Sequence, residues 1–302
     1  MALTALLAAC TVGPAATPDL TGSPSPSGGP TSSPSPTPAP TFSSDQIPHP
    51  TGPADIVLRM EQGGGFVPME WMATNAPQFT LYGDGRVVFR PIEDLERVGF
   101  AQGLPRYLTG KMTEEGVQAL LNYALTTGRL ATARASYDNP MIADASTTTF
   151  VLNAGGEEKV VSIYALFEMP DPQVPDAADR AGFVQLQNLL MNFESEVDAG
   201  TVDDVGLYEP ELYRLVLFEG MGEPLTEPIA WPWDDITLDD FPLGEEPGNR
   251  TRIVTAEQAG QLVDVPSGGQ MSIWVEAPDG TLVSFALRPL LPDEVAGVEG
   301  LL

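Results

Sequence analysis

Phe79-Thr80-Leu81-Tyr82-Gly83-Asp84-Gly85-Arg86-Val87-Val88-Phe89 is the stretch on which the fold class turns. Two short runs rich in β-branched and aromatic residues flank Gly83-Asp84-Gly85, the composition of a hairpin turn. A three-residue loop sets Tyr82 against Arg86 and brings Phe79, Leu81, Val87 and Phe89 onto one face. A two-residue loop would scatter those four side chains over both faces. The spacing therefore predicts a type I turn with Gly85 in the left-handed conformation.

The same register test succeeds further along the chain. Pro278-Asp279-Gly280 places Pro where a turn wants its fixed φ. With Ala277 opposite Thr281, the residues Ile273, Val275, Val283 and Phe285 share a face. A third hairpin is expected from Thr147 to Leu166 around Gly155-Gly156. Helical patterns fall between these hairpins. Thr113 reads as the N-cap of the first, with Met112 stapled onto Val117, an apolar stripe of Val117, Leu120, Leu121, Ala124 and Leu125, and Gly128 closing it. A second helix is expected from Asp176 to Val197, burying Phe183, Leu186, Leu190, Phe193 and Val197. A third starts at Thr255, with Gln258 completing a capping box, and carries Ala259, Leu262 and Val263. The fold class that follows is α+β, antiparallel hairpins with short packed helices. The equal spacing of Met112-Thr113…Val117…Leu120-Leu121 and Val254-Thr255…Ala259…Leu262-Val263 suggests two related modules, 55–200 and a smaller one at 205–302.

Before residue 55 the composition changes. From Thr11 to Ala54 the chain is almost entirely Pro, Ser, Thr, Gly and Ala, with too few apolar side chains to offset the entropy of ordering. The expectation is a disordered linker over 11–54, with an upper reach on the order of 130 Å if it adopts extended polyproline geometry. Residues 1–10 read MALTALLAAC, an apolar run ending Leu7-Ala8-Ala9-Cys10. This resembles the lipobox of bacterial lipoproteins, which implies lipidation of Cys10, cleavage of a signal peptide before it, and anchorage at the extracytoplasmic face of the cell membrane. No Lys or Arg precedes the run, and nine residues are short for a signal peptide, so the true start is expected upstream.

The charge is 42 Asp and Glu against 14 Lys and Arg, a formal −28. Such a field repels phosphate backbones, which argues against nucleic acid as a partner, and attracts cations or cationic proteins. The single Cys forbids an intrachain disulfide. With the single His, His49, lying between prolines in the expected linker, the folded part would hold neither thiol nor imidazole. That excludes His-dependent Ser triads, Cys nucleophiles and zinc sites built on His or thiolate, and no catalytic, cofactor or metal residue is assigned. Gly63-Gly64-Gly65 runs into Phe66-Val67-Pro68 rather than a helix, so it reads as a bend and not a phosphate loop. The densest acidic feature spans Trp231 to Phe241, with Asp234, Asp235, Asp239 and Asp240, then Glu245 and Glu246. It lacks the ligand spacing of an EF-hand and reads as a solvated loop pinned by Trp231, Trp233 and Phe241, the alternatives being a cation site such as one for Ca²⁺ and an exposed Trp pair used as a ligand platform.

Phe79 to Val87, Thr113-Glu114-Glu115, Tyr137 with Asp144, and Thr148-Thr149-Phe150-Val151, in that order, resemble a family of uncharacterised bacterial lipoprotein domains. The part holding Trp231-Pro232, Arg252-Ile253-Val254-Thr255, Trp274 and Arg288-Pro289-Leu290-Leu291-Pro292-Asp293-Glu294 is similar to secreted proteins of high-GC bacteria. The resemblance implies export and membrane anchorage, and brings no assigned activity. The expectation is an anchored lipoprotein with a non-catalytic binding or structural role, the alternative being a carboxylate-based hydrolase at the cell envelope.

Overall fold

The computed structural model describes residues 46–91, 106–166, 174, 176–219, 222–242, 249–263, 265–266 and 270–298. Eight strands make the first sheet: β1 (Ile56–Gly63), β2 (Phe79–Tyr82), β3 (Arg86–Phe89), β4 (Leu108–Met112), β5 (Ser136–Tyr137), β6 (Thr147–Ala154), β7 (Glu157–Tyr164) and β8 (Val202–Leu207). Their order is β5-β7-β6-β1-β2-β3-β4-β8, antiparallel throughout except for the short β5–β7 pair. The second sheet holds β9 (Leu212–Glu219), β10 (Ile229–Ala230), β11 (Asn249–Thr255), β12 (Ile273–Glu276) and β13 (Leu282–Pro289), in the order β10-β12-β13-β9-β11. Six α-helices accompany them among the described residues: α1 (Met69–Thr74), α2 (Glu114–Leu125), α3 (Ala177–Met191), α4 (Glu194–Asp198), α5 (Ala256–Val263) and α6 (Pro292–Val298). The architecture is the α+β arrangement that the hairpins require.

All three hairpins form, the first two in the expected registers. Leu81 pairs with Val87 and Phe79 with Phe89, while Gly85 has φ +84°. A Cβ there would also stand 2.9 Å from the Met112 carbonyl, so the neighbouring strand excludes a side chain as firmly as the backbone does. Val275 pairs with Val283 across Gly280, and Ala154 with Glu157 across Gly155-Gly156.

Helix entry follows the sequence more closely than helix exit. The Thr113 hydroxyl accepts from the Gly116 amide, and Thr255 with Gln258 forms the reciprocal box, its amide donating to Gln258 Oε1 at 3.1 Å while Thr255 Oγ1 accepts from the Gln258 amide at 3.3 Å. At the far end of α2 the left-handed residue is Arg129 rather than Gly128. Gly128 is needed there for space, since a Cβ would stand 2.7 Å from the Ala124 carbonyl. The helix expected over Asp176 to Val197 is two helices, α3 and α4, broken at Asn192-Phe193, where Asn192 leaves helical geometry at φ −107°, ψ 38°. Phe193 is thereby turned into the core, with its ring 4.6 Å from Phe79 and 5.2 Å from Phe89. Val197 is only partly buried, and Val263 faces solvent. Helix α1, absent from the sequence expectation, starts just after Pro68.

Each sheet is covered on both faces at its centre, while β6 and β7 of the first leave their second face open to solvent. On one face of the first sheet Phe79, Leu81, Val87 and Phe89 pack with Leu58, Phe150 and the apolar stripes of α2 and α3. On the other, Tyr82 and Val88 pack with Ala76, Tyr107 and Leu291. In the second sheet Leu215, Val254, Val283 and Phe285 meet Trp233, Phe241 and α5. The opposite face, Val216, Phe218 and Ala286, is covered by Met69 and Ala73 of α1. The crossing is reciprocal, because α1 from the first half lies on the second sheet while Leu291 and α6 from the end of the chain lie on the first. Strand β8 pairs with β4, so the first sheet includes residues on both sides of position 205.

The packed structure also reaches further toward the N-terminus than composition suggests. The Ile47 amide donates to Gln118 Oε1 at 2.7 Å, and the Pro48 carbonyl accepts from the Gly155 amide at 2.7 Å. His49 is 6% exposed. Its Nδ1 donates to the Pro50 carbonyl at 2.6 Å and its Nε2 faces Glu114 Oε1 at 3.3 Å. The linker expected to run to residue 54 therefore gives way to packed chain by Gln46, and the folded part does contain an imidazole. Proline-flanked composition concealed both facts.

Candidate functional site

The residue expected to carry the anchoring chemistry, Cys10, lies outside the described residues, as do Glu245 and Glu246. The acidic segment Trp231–Phe241 is described in full. Trp231 donates from its indole to the Ile236 carbonyl at 2.7 Å, and Trp233 to that of Gln258 at 3.0 Å. The two rings stand edge to face at 5.4 Å, and both contact Phe285. The Trp pair is thus part of the second core and not an exposed platform. Asp234, Asp235 and Asp239 face solvent. Asp240 turns back to cap a single 3₁₀ turn, accepting from the Thr237 amide and hydroxyl, each at 2.8 Å. Those bonds hold its carboxyl below the usual carboxylate range, with a smaller contribution from Arg252. Among the described residues no three His, Cys, Asp or Glu side chains gather as a metal-binding group.

The structure instead brings together a polar seam that sequence reasoning missed. Asp293, in the first turn of α6, accepts at Oδ1 from Arg59 Nη2 at 2.6 Å and from the Tyr82 hydroxyl at 2.7 Å. Arg59 Nε also donates to Thr80 Oγ1, fixing the plane of the guanidinium over β1 and β2. One residue on, Glu294 lies 2.7 Å from Arg288 of β13 and accepts from the Leu291 amide at 2.9 Å. Arg288 Nε in turn donates to the Asn75 carbonyl at 2.7 Å, and Tyr208 donates to that of Leu290 at 2.8 Å. Pro292 at the first helical position, with two acids behind it, is the local signal of a helix start. The partners of Asp293, Arg59 and Tyr82, lie more than two hundred residues away, where no local signal reaches.

Burial sets the electrostatics of this seam. It pushes the Tyr82 hydroxyl well above the ordinary tyrosine range, with the Asp293 charge and hydrogen bond acting in the same direction. For Arg59, burial pulls downward, but the bond and charge of Asp293 outweigh it and the guanidinium stays charged. Tyr208 is pushed up to about 12, again mainly by burial. A tyrosine whose folded pKa exceeds its unfolded value contributes stability that is complete below about pH 10 and is lost as pH rises. Alkaline titration from pH 9 to 12 should therefore lower the melting temperature. Tyr208→Phe should lower it at neutral pH, through loss of the bond to Leu290, while flattening its fall above pH 10. An alkaline slope identical to wild type would show that Tyr208 does not titrate with unfolding.

What the seam does chemically is hold. Its carboxylates are engaged by buried guanidinium and phenol groups, and it ties α6, β1, β2 and β13 into one body. No described helix is long and apolar enough to cross a membrane. No family model, curated protein or solved structure matches the chain.

Proposed function

We propose that this chain is a lipid-anchored lipoprotein of the bacterial cell envelope, displayed at the extracytoplasmic face, whose folded body binds or supports a partner without catalysing a reaction. The observation that carries the reading is Leu7-Ala8-Ala9-Cys10 followed directly by the Pro/Ser/Thr tract. A thiol at the end of an apolar run, next to a tract of Pro, Ser and Thr poor in apolar side chains, is the sequence pattern that acylation and a spacer from a bilayer would require. The non-catalytic part of the reading is supported by how the chain's reactive groups are used. Its single imidazole is buried against Pro50 and Glu114, and the partly buried carboxylates of Asp293 and Glu294 are committed to holding layers together.

The test is cell fractionation of the chain expressed behind a complete signal peptide. Wild type should sediment with membranes and partition into detergent, whereas Cys10→Ser should be released in soluble, folded form. Membrane association of the variant as complete as that of wild type would overturn the anchoring proposal.

A further inference from the structure

The end of the first sheet away from the chain's entry carries an apolar tip that no packing accounts for. Pro140, Met141, Ile142 and Ala143 are four consecutive exposed residues, with Met141 84% exposed, and Phe66 on the neighbouring loop is 95% exposed. Four exposed apolar residues in a row, beside an uncovered Phe, are not explained by solubility or by the fold. The two loops are seated together. A Cβ on Gly65 would stand 3.2 Å from the Asp144 carbonyl, the Met141 amide donates to Asn139 Oδ1 at 3.2 Å, and the Ala145 amide donates to the Tyr164 hydroxyl at 3.0 Å. Backbone contacts thus hold side chains that themselves touch little. The packed chain enters at Pro48, against Gly155 beyond the end of β6, whereas these loops adjoin Gly63 and Thr147 at its start. The two points are about 27 Å apart along the strand.

Charge selects the occupant. Neither segment that builds the tip, 61–78 or 138–156, contains a Lys or Arg, and the guanidinium that reaches it, Arg180 on the Asp138 carbonyl, is buried, while Asp138 and Asp144 are exposed beside the apolar residues. In a molecule of formal charge −28 this tip repels an anionic bilayer and a second copy of itself, and attracts positive charge. We infer that Phe66 and Met141–Ile142 form the docking surface for a cationic protein segment that presents an apolar anchor. This rests on the binding role proposed above and gives that role a surface and a partner class.

The test uses the full chain carrying Cys10→Ser, so that lipid plays no part in the readout and failure here leaves the anchoring proposal standing. The probes are three synthetic helical peptides of equal length: an amphipathic Lys/Leu peptide, a Lys/Ser peptide of the same charge, and a Glu/Leu peptide of the same apolarity. The Lys/Leu peptide should bind best in calorimetry, and Phe66→Ser with Met141→Ser should weaken it about tenfold, the loss expected of an apolar anchor. Both substitutions are at exposed positions, so the melting temperature should not change. Equal binding of the Lys/Ser peptide, or an affinity that the double variant leaves unchanged, would assign the attraction to the diffuse negative surface and overturn the inference. Binding to phosphatidylglycerol vesicles that the double variant abolishes, or a dimer in sedimentation that it dissociates, would overturn it in favour of a bilayer or a second copy.

Discussion

Asp293→Ala is expected to destabilise the folded body by about 3 to 5 kcal/mol, the cost of leaving a buried charge without its partner. The carboxylate and Arg59 are both largely shielded, and Oδ1 takes the Arg59 and Tyr82 donors together. Removing it strands the guanidinium and the hydroxyl at once. Urea denaturation of the soluble Cys10→Ser form gives the measurement, with two companions that separate charge from shape. Asp293→Asn keeps the volume and an acceptor but not the charge, so it should fall between alanine and wild type. Tyr82→Phe deletes one hydrogen bond and should cost about 1 kcal/mol. A midpoint for Asp293→Ala indistinguishable from wild type would mean that the seam follows the packing of the layers and does not secure it.

Phe193→Ala should have a loss of similar size by a different mechanism. Phe193 is fully buried at the break between α3 and α4, with its ring against Phe79 and Phe89 from the hairpin that sets the fold. Truncation opens a cavity in the centre of the first core and should cost about 3 to 5 kcal/mol, whereas Phe193→Leu, which refills most of that volume, should cost under about 2. Equal losses for Ala and Leu would point to the helix break itself, and not the cavity, as what the residue maintains.

The sequence disclosed what local chemistry determines. The hairpin around Gly83-Asp84-Gly85 was legible because side-chain alternation and turn length must agree, and only one loop length made them agree. Thr113 and Thr255 were legible because a cap is satisfied within three residues. His49 was not, because its prolines have the composition of a linker while its partner Glu114 lies 65 residues away. Burial of Tyr82 and Val88 on the second face of their sheet was equally hidden, since Leu291, among the residues that cover them, lies some two hundred positions later. The break at Asn192-Phe193 gave no signal because the apolar spacing runs through it and only the demand of the core interrupts the helix. For function the asymmetry is sharper. Cys10 and its tract are readable as a linear pattern, whereas whether carboxylates converge, or an apolar loop stays uncovered, depends on tertiary placement. The acidic segment is dense in sequence but dispersed in space, while Pro140-Met141-Ile142-Ala143 has no distinctive linear pattern and is exposed.

The reciprocal covering of the two sheets has a consequence in time. Arg59 meets a partner 234 positions later, and Tyr82 one 211 positions later. A chain that emerges N-terminus first presents β1, β2 and β3 early, so the Tyr82 and Val88 face must wait, apolar and wet, until the whole second sheet has followed. Closure arrives only with Leu291 and α6. During that interval the half-built molecule displays the kind of surface on which nascent chains aggregate, and contacts of such long sequence separation form slowly. The emerging chain is thus most vulnerable until Leu291 and α6 arrive, and loss of the segment from Leu290 onward would hold every molecule at that stage.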